Sequence, residues 1–374
     1  MRRVLLGFLI IIAGCKEEYN VPVDATGYNY LVVEGNIVAG NDSTFVHLTR
    51  TIPVDDTSNL KPETNASVQV ESEAGETYQL SEKGDGIYFA PPLNINAGNN
   101  YRLHIVTSDG KEYASDYVPV KTTPLIDSVS WKLDANTGVT IYVTTHDPAG
   151  DTRYYRWEYD ETWEHRSKDS SLLIYDPGLR NVRYRLPEEQ IYRCWNSDTS
   201  GNILIANTAG LSADVLFEKP LTNIPYGSEK ISRVYSILVK QYALTKEAYE
   251  FWDNLKKNTE EQGGIFGPRP FADYGNMHCI TDPNEPVVGF ISACSVSQQR
   301  IYINWKQVQW PFYFPSCKDS VVAPAMVETV YSGPFLLPIT YVSPPRDAVL
   351  GSAPECVDCR LTGGGTTVRP PYMP

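Results

Sequence analysis

The sequence predicts a mainly β protein, built as two consecutive β-rich units with one prominent helix. Three observations predict it. Short runs rich in Val, Ile, Tyr and Thr recur between clusters of Gly, Asn and Asp, the punctuation of strands and turns. Several runs alternate apolar and polar residues, as a strand with one buried face does. Only one segment carries apolar residues at helical spacing.

The elements follow in order. "YLVVEGNIV" (residues 30–38) and "STFVHLTRTI" (43–52) are strand-like, with Gly40, Asn41 and Asp42 between them. "ASVQVESE" alternates Val68 and Val70 with polar residues, and Gly75 then marks a turn before "ETYQLSEK". Gly84, Asp85 and Gly86 precede "IYFAPPL". In "NYRLHIVTSDGKEYASDYVPV", Asp109-Gly110 joins two strands, because that dipeptide suits a tight hairpin turn. Short strands at this spacing predict an immunoglobulin-like β-sandwich over residues 28–121. Thr122-Thr123-Pro124 opens a second unit with "IDSVSWKL", "GVTIYVTTHD" and "TRYYRWEYDETWEHRS". Residues 122–342 are therefore expected to form a larger, fibronectin-like β-rich domain.

Its helix is expected near 245–262. Leu244, Ala248, Phe251, Trp252 and Leu255 form one stripe. Thr245 is placed to cap the first turn, Glu247 suits the positive helix start, and Gly263 suits a left-handed end. Strands then resume with "NMHCITD", "VVGFISACSVS" and "QRIYINW". From Ser343 the chain is rich in Pro and Gly, so residues 343–374 are expected to form an irregular, cysteine-pinned extension.

The first residues address the chain. Arg2 and Arg3 precede an apolar run from Val4 to Ala13. That run is about half the roughly twenty residues a spanning helix needs, so residues 1–14 read as a signal peptide. Ile12-Ala13-Gly14-Cys15 resembles the bacterial lipobox, which makes Cys15 the expected lipidation site and residues 15–27 a tether. Membrane attachment is then through the lipid anchor. Lys16-Glu17-Glu18 resembles the charged export signal of Bacteroidota surface lipoproteins. The formal net charge is −13. That disfavours nucleic acid and anionic membrane surfaces as partners.

Six further cysteines, Cys194, Cys279, Cys294, Cys317, Cys356 and Cys359, suit disulfides in an exported chain. Cys279 and Cys294 flank an expected hairpin and could pair across it. Cys356 and Cys359 could pair locally or with other cysteines. A zinc site needs about four N or S ligands, and no second C-x-x-C or nearby His pair supplies them.

Catalytic patterns are missing. His47, His104, His146, His165 and His278 include no pair at helical metal-binding spacing. There is no G-x-S-x-G, no phosphate-binding G-x-x-x-x-G-K and no G-x-G-x-x-G. Asp160, Glu161 and Glu164 lie close in sequence, but 45 acidic residues produce such neighbours by chance. The expectation is a non-enzymatic protein with no cofactor and no metal. Aromatics are the more informative feature. On one strand, Tyr155, Trp157 and Tyr159 share a face and Arg156, Glu158 and Asp160 the other; the aromatic face reads as core. Trp305, Trp310, Phe312, Tyr313 and Phe314 cluster around Pro311 and Pro315. Proline argues against a central strand there, which leaves two readings: a loop contacting a partner or ligand, or buried packing.

Several longer stretches carry a resemblance. They are "YLVVEGNI", "RCWNSDTSGNILIANT", "YSILVKQYALTKEAYEFWDNLKKNTEEQGGIFGPRP", "GNMHCITDPNEPVVGFISACSV" and "PECVDCRLTGGGTTVRPPY". Together they resemble the Bacteroidota lipoproteins of the domain-of-unknown-function family 4249. That family often ends in a Pro-aromatic-Trp pattern, where this chain has "PPYMP". The resemblance implies a surface-exposed outer-membrane lipoprotein acting as accessory or substrate-capture partner of a TonB-dependent transporter, a β-barrel. It implies no catalytic residues. A structural or adhesive envelope lipoprotein, part of an outer-membrane assembly, is the alternative.

Overall fold

The computed structural model describes residues 29–52, 61–260, 275–310, 316–344 and 347–374. It is mainly β, with few short helices and several sheets. Cys15, Gly263, Phe312, Tyr313 and Phe314 lie outside the described residues, as do the signal-peptide and lipidation expectations that rest on the first residues.

The first body is organised around Leu31, Val33, Leu48, Val68, Tyr88, Tyr101, Leu103 and Tyr113. The alternation seen in the sequence places them inside: Val68 and Val70 are fully buried while Gln69 is partly exposed. Strands Ser67–Ser72 and Asn100–Val106 pair antiparallel, as do Leu31–Ala39 and Thr44–Arg50. Distant residues complete this core. Strand Met277–Cys279 pairs with Glu112–Ser115, and Ser292–Asn304 pairs in parallel with Leu31–Ala39. Met277, Cys279, Val287, Ile291 and Ala293 therefore belong to the first core. Backbones approach closely there: a Cβ on Gly275 would stand 1.9 Å from the Gly289 carbonyl oxygen, and Gly275 has φ +105°, a conformation glycine adopts without steric cost.

The second body has two facing sheets. The long strand Tyr154–Arg166 pairs with Val234–Leu244 on one side, and with Arg193–Thr199 and Leu204–Asn207 on the other. Val234–Leu244 pairs in turn with Ser292–Asn304. A three-stranded sheet of Ile126–Asp134, Gly138–His146 and Val215–Ile224 covers this one. Between them lie Tyr155, Trp157, Tyr235, Ile237, Val239, Val139, Ile141 and Val143. The aromatic face of "YYRWEY" is core, as its alternation predicts. Strand Ser292–Asn304 is the seam: residues 292–295 pair with the first body and residues 296–304 with the second, which joins the two into one connected sheet.

The helix spans Lys246–Thr259, and the Thr245 hydroxyl accepts from the Ala248 N–H at 3.2 Å, as its capping pattern predicts. Ala248 and Phe251 face inward.

A third body holds the hairpin Leu173–Asp176 and Asn181–Tyr184 and a sheet of Ser320–Val322, Ala348–Ser352 and Leu337–Val342. The segment after Ser343 is thus less irregular than its Pro and Gly content suggested: "AVLGS" is a strand, and Pro354–Val357 and Cys359–Thr362 each form one helical turn. Disulfides Cys194–Cys359 and Cys317–Cys356 staple this region. The pairing of Cys279 with Cys294 is not made; both thiols are free and buried. Their two strands pair with different partners and form no hairpin with each other.

Candidate functional site

A cleft of about 600 Å³ lies where the two large bodies meet. Period-two alternation builds its floor. With Tyr155, Trp157 and Tyr159 turned into the core, Arg156, Glu158 and Asp160 emerge on the opposite face. The adjoining strand sets Tyr242 across from Arg156 and Lys240 across from Glu158. The facing wall comes from Leu31–Ala39 and Thr44–Arg50 and carries Glu34, Asn36, Phe45 and His47. Trp252, from the helix, and residues 199–203 complete it.

The loop has a register cause. Asp160 pairs with Thr199 and Trp157 with Leu204, so residues 200–203 arch across only two residues of the long strand. Ser200 pins the arch: its N–H donates to the Tyr159 carbonyl at 2.9 Å, and its hydroxyl accepts from the Tyr159 N–H at 3.2 Å. Asn202 is left exposed on it.

Charges on the floor are matched locally. Arg156 Nη2 donates to Glu158 Oε1 at 2.6 Å, and the Tyr242 hydroxyl donates to Glu158 Oε2 at 2.9 Å. Lys240 Nζ lies 2.7 Å from Asp160 Oδ2. The Arg156 guanidinium sits 3.9 Å from the Trp252 ring centroid, a cation–π contact. Burial, with the Glu158 carboxylate beside it, pushes the Tyr242 phenol far above its ordinary range, so it stays a neutral donor. On the wall, the Phe45 ring packs on Phe89 at 5.0 Å, has Lys83 Nζ 5.2 Å from its centroid and is 48% exposed, a partly open aromatic surface at the rim. Such a cleft offers paired donors and acceptors and two aromatic surfaces. Among the described residues, no group of three His, Cys, Asp or Glu is placed to hold a metal ion.

The residues singled out from sequence are dispersed. Asp160 faces the cleft. Glu161 points the other way, into the core, where it accepts from the Tyr235 hydroxyl at 2.7 Å and from Lys230. Glu164 returns to the cleft side but is buried beneath Arg166 and Arg193. Alternation turns Glu161 away, and the two arginines over Glu164 engage it separately from Asp160, so the three carboxylates do not converge. Trp310 is buried, edge-on to Tyr226 at 5.5 Å, and belongs to the second core. Trp305 is 40% exposed at the start of a one-turn helix, beneath Arg233. Neither lines the cleft. Sequence placed Arg156, Glu158 and Asp160 on one strand face but gave no sign that this face lines a cleft. Their signal was the alternation itself.

A family model described as Domain of unknown function (DUF4249) matches residues 16–300. The chain belongs to that family. No curated protein matches it significantly. The DUF4249 span contains every cleft residue from Glu34 to Trp252 and ends inside strand Ser292–Asn304. The stapled third body takes Cys317, Cys356 and Cys359 from beyond the DUF4249 span.

The Glu164 cluster sets a pH dependence. Burial raises this carboxyl's pKa, but hydrogen bonds from Arg193 and Arg166 outweigh that and hold it below the ordinary value. A carboxylate depressed in the folded state contributes stability above its unfolded pKa of roughly 4.3; that contribution is lost as pH falls through the folded value. Replacing Arg193, which meets Glu164 at 3.1 and 3.0 Å, removes part of it. Arg193→Ala is expected to cost about 2 kcal/mol at neutral pH and to move the acid unfolding midpoint upward. Circular dichroism across an acid titration measures both.

Proposed function

We propose that this protein is a surface-exposed outer-membrane lipoprotein, anchored through Cys15, that captures substrate for a TonB-dependent transporter. Its two large bodies serve as immunoglobulin-like and fibronectin-like scaffolds, a reading supported by the layered antiparallel strands and buried aromatic core. The observation that carries the capture role is the cleft at their junction. It is of small-molecule size, is lined by aromatic and hydrogen-bonding side chains, and lies inside the span shared with the family. The lipobox-like segment and acidic export-like residues support the location. The proposed action is binding and handover, without bond-breaking chemistry or a cofactor.

One observation favours the structural alternative. The third body is doubly stapled and exposes Phe335, Tyr184 and Leu179 at 82%, 67% and 63%, side chains suited to contacts within an envelope assembly.

Affinity purification from native outer membranes separates the two. The tag belongs in the exposed Ala74–Gly75 turn, because Met373, next to the C-terminus, is buried. A β-barrel transporter recovered in equal amount is the expected result. Recovery of anchoring or assembly proteins without a barrel would overturn the capture reading in favour of the structural one.

A further inference from the structure

We infer that the cleft binds a neutral oligosaccharide; this rests on the capture reading and gives its substrate a chemical class.

A peptide added as a strand needs a free backbone edge. The two long strands that form the floor and the wall are occupied on both sides, and the edge strand Arg193–Thr199 reaches the lining only through Thr199. Leu31–Ala39 lies between Thr44–Arg50 and Ser292–Asn304, and Tyr154–Arg166 lies between Val234–Leu244 and its outer partners. An anionic ligand needs an uncommitted cation. Among the described residues the lining cations are Arg156 and Lys240, and each already meets a carboxylate, Glu158 at 2.6 Å and Asp160 at 2.7 Å. A wholly apolar ligand would strip water from both ion pairs and return nothing for it.

A sugar answers all three conditions. Each hydroxyl both donates and accepts. Adjacent hydroxyls on a ring therefore match a carboxylate and a cation held side by side, which is what Glu158 with Arg156 and Asp160 with Lys240 present. Asn202 on the arch adds an amide with both functions. The C–H face of a pyranose ring is apolar and packs against aromatic surface; Phe45, 48% exposed, offers such a surface at the rim, and the part of the half-buried Trp252 ring left beside Arg156 offers a smaller one from the middle of the helix. The volume accepts several rings. Because the ligand is uncharged, binding depends little on salt.

The test uses the full mature chain in detergent. Saturation-transfer NMR and calorimetry are run with linear hexaoses of glucose, mannose and xylose. An oligogalacturonate and an uncharged hexapeptide serve as comparators. The expected result is binding of at least one neutral hexaose, with its dissociation constant changing less than about twofold between low and high salt. Glu158→Gln and Asn202→Ala should each weaken it by about tenfold. Asn202 is exposed, so its variant keeps the fold and guards against a trivial loss. The inference is overturned if no neutral hexaose gives saturation transfer, if only the anionic or peptide comparator binds, or if both variants bind like the parent. A recovered barrel with no sugar binding removes this inference and leaves the capture reading standing. Sugar binding without a barrel removes the transporter and keeps the site.

Discussion

Trp157→Ala is expected to destabilise the protein by about 3–5 kcal/mol, the range for deleting a fully buried large aromatic. Trp157 is 1% exposed and stacks on Tyr155 at 5.8 Å with 10° between ring planes. Its indole N–H donates to Gln241 Oε1 at 2.9 Å. Gln241 is fully buried and donates through Nε2 to the Pro124 carbonyl at 2.9 Å and the Thr145 hydroxyl at 3.0 Å. One side chain thus fills the space between the two sheets and anchors an amide that ties three segments together. Alanine leaves a cavity and an unpaired buried acceptor at once. Trp157→Phe separates the two effects: it keeps most of the apolar contact and loses the hydrogen bond, for an expected cost nearer 1–2 kcal/mol plus a smaller packing loss. Urea unfolding of both variants measures the difference. A loss below about 1 kcal/mol for alanine would mean that the sheets do not close over this residue.

Local physics was legible in the sequence and long-range geometry was not. The faces of Val68, Val70, Tyr155, Trp157 and Tyr159 follow from a two-residue period, and Thr245 caps its helix because a hydroxyl there meets a free N–H. Each of these depends on neighbours in the chain. The parallel pairing of Leu31–Ala39 with Ser292–Asn304 depends on residues some 250 positions apart, and no turn signal encodes it. That pairing brings the two bodies together and so creates the cleft, which is why nothing near Arg156, Glu158 and Asp160 in the sequence marks their face as its lining. Proline left the stretch around Trp310 open between a contact loop and buried packing, and for Trp310 the structure gives packing. Its indole packs on Tyr226, on a segment far back in the sequence, which no local signal names. Cysteine pairing failed for the same reason: Cys279 and Cys294 are near in sequence, yet each went to a different strand partner.

Cys359→Ser is expected to loosen the third body while leaving the two large ones folded. The bond it breaks joins residues 165 apart. Closing so long a loop restricts the unfolded chain strongly, and removal of such a bridge costs about 2–5 kcal/mol. The loss should be local. Cys194 sits on the strand beside His165, and the short Cys359–Thr362 helix is held to it by the bridge, by the His165 ring nitrogen at 2.9 Å from the Cys359 carbonyl, and by the Cys359 N–H on the Ile191 carbonyl at 2.9 Å. Without the bridge, that corner keeps the separate Cys317–Cys356 link and hydrogen bonds such as Asp169 N–H to the Cys356 carbonyl at 2.9 Å, the Ser167 hydroxyl to the Val357 carbonyl at 2.8 Å and the Trp195 N–H to the Thr366 carbonyl at 2.8 Å, which hold the ends near but restrict the unfolded chain far less than a covalent bond. The buried Cys294 thiol offers no repair. Burial pushes the Cys294 thiol up to about 12, so it carries almost no thiolate to attack a disulfide. Hydrogen exchange should therefore rise across residues 316–344 and 347–374 in the variant and stay slow at Trp157 and Tyr235. Equal loss of protection in both regions would show that the staple supports the whole molecule rather than one body, and the division of the fold into separately stabilised parts would fall with it.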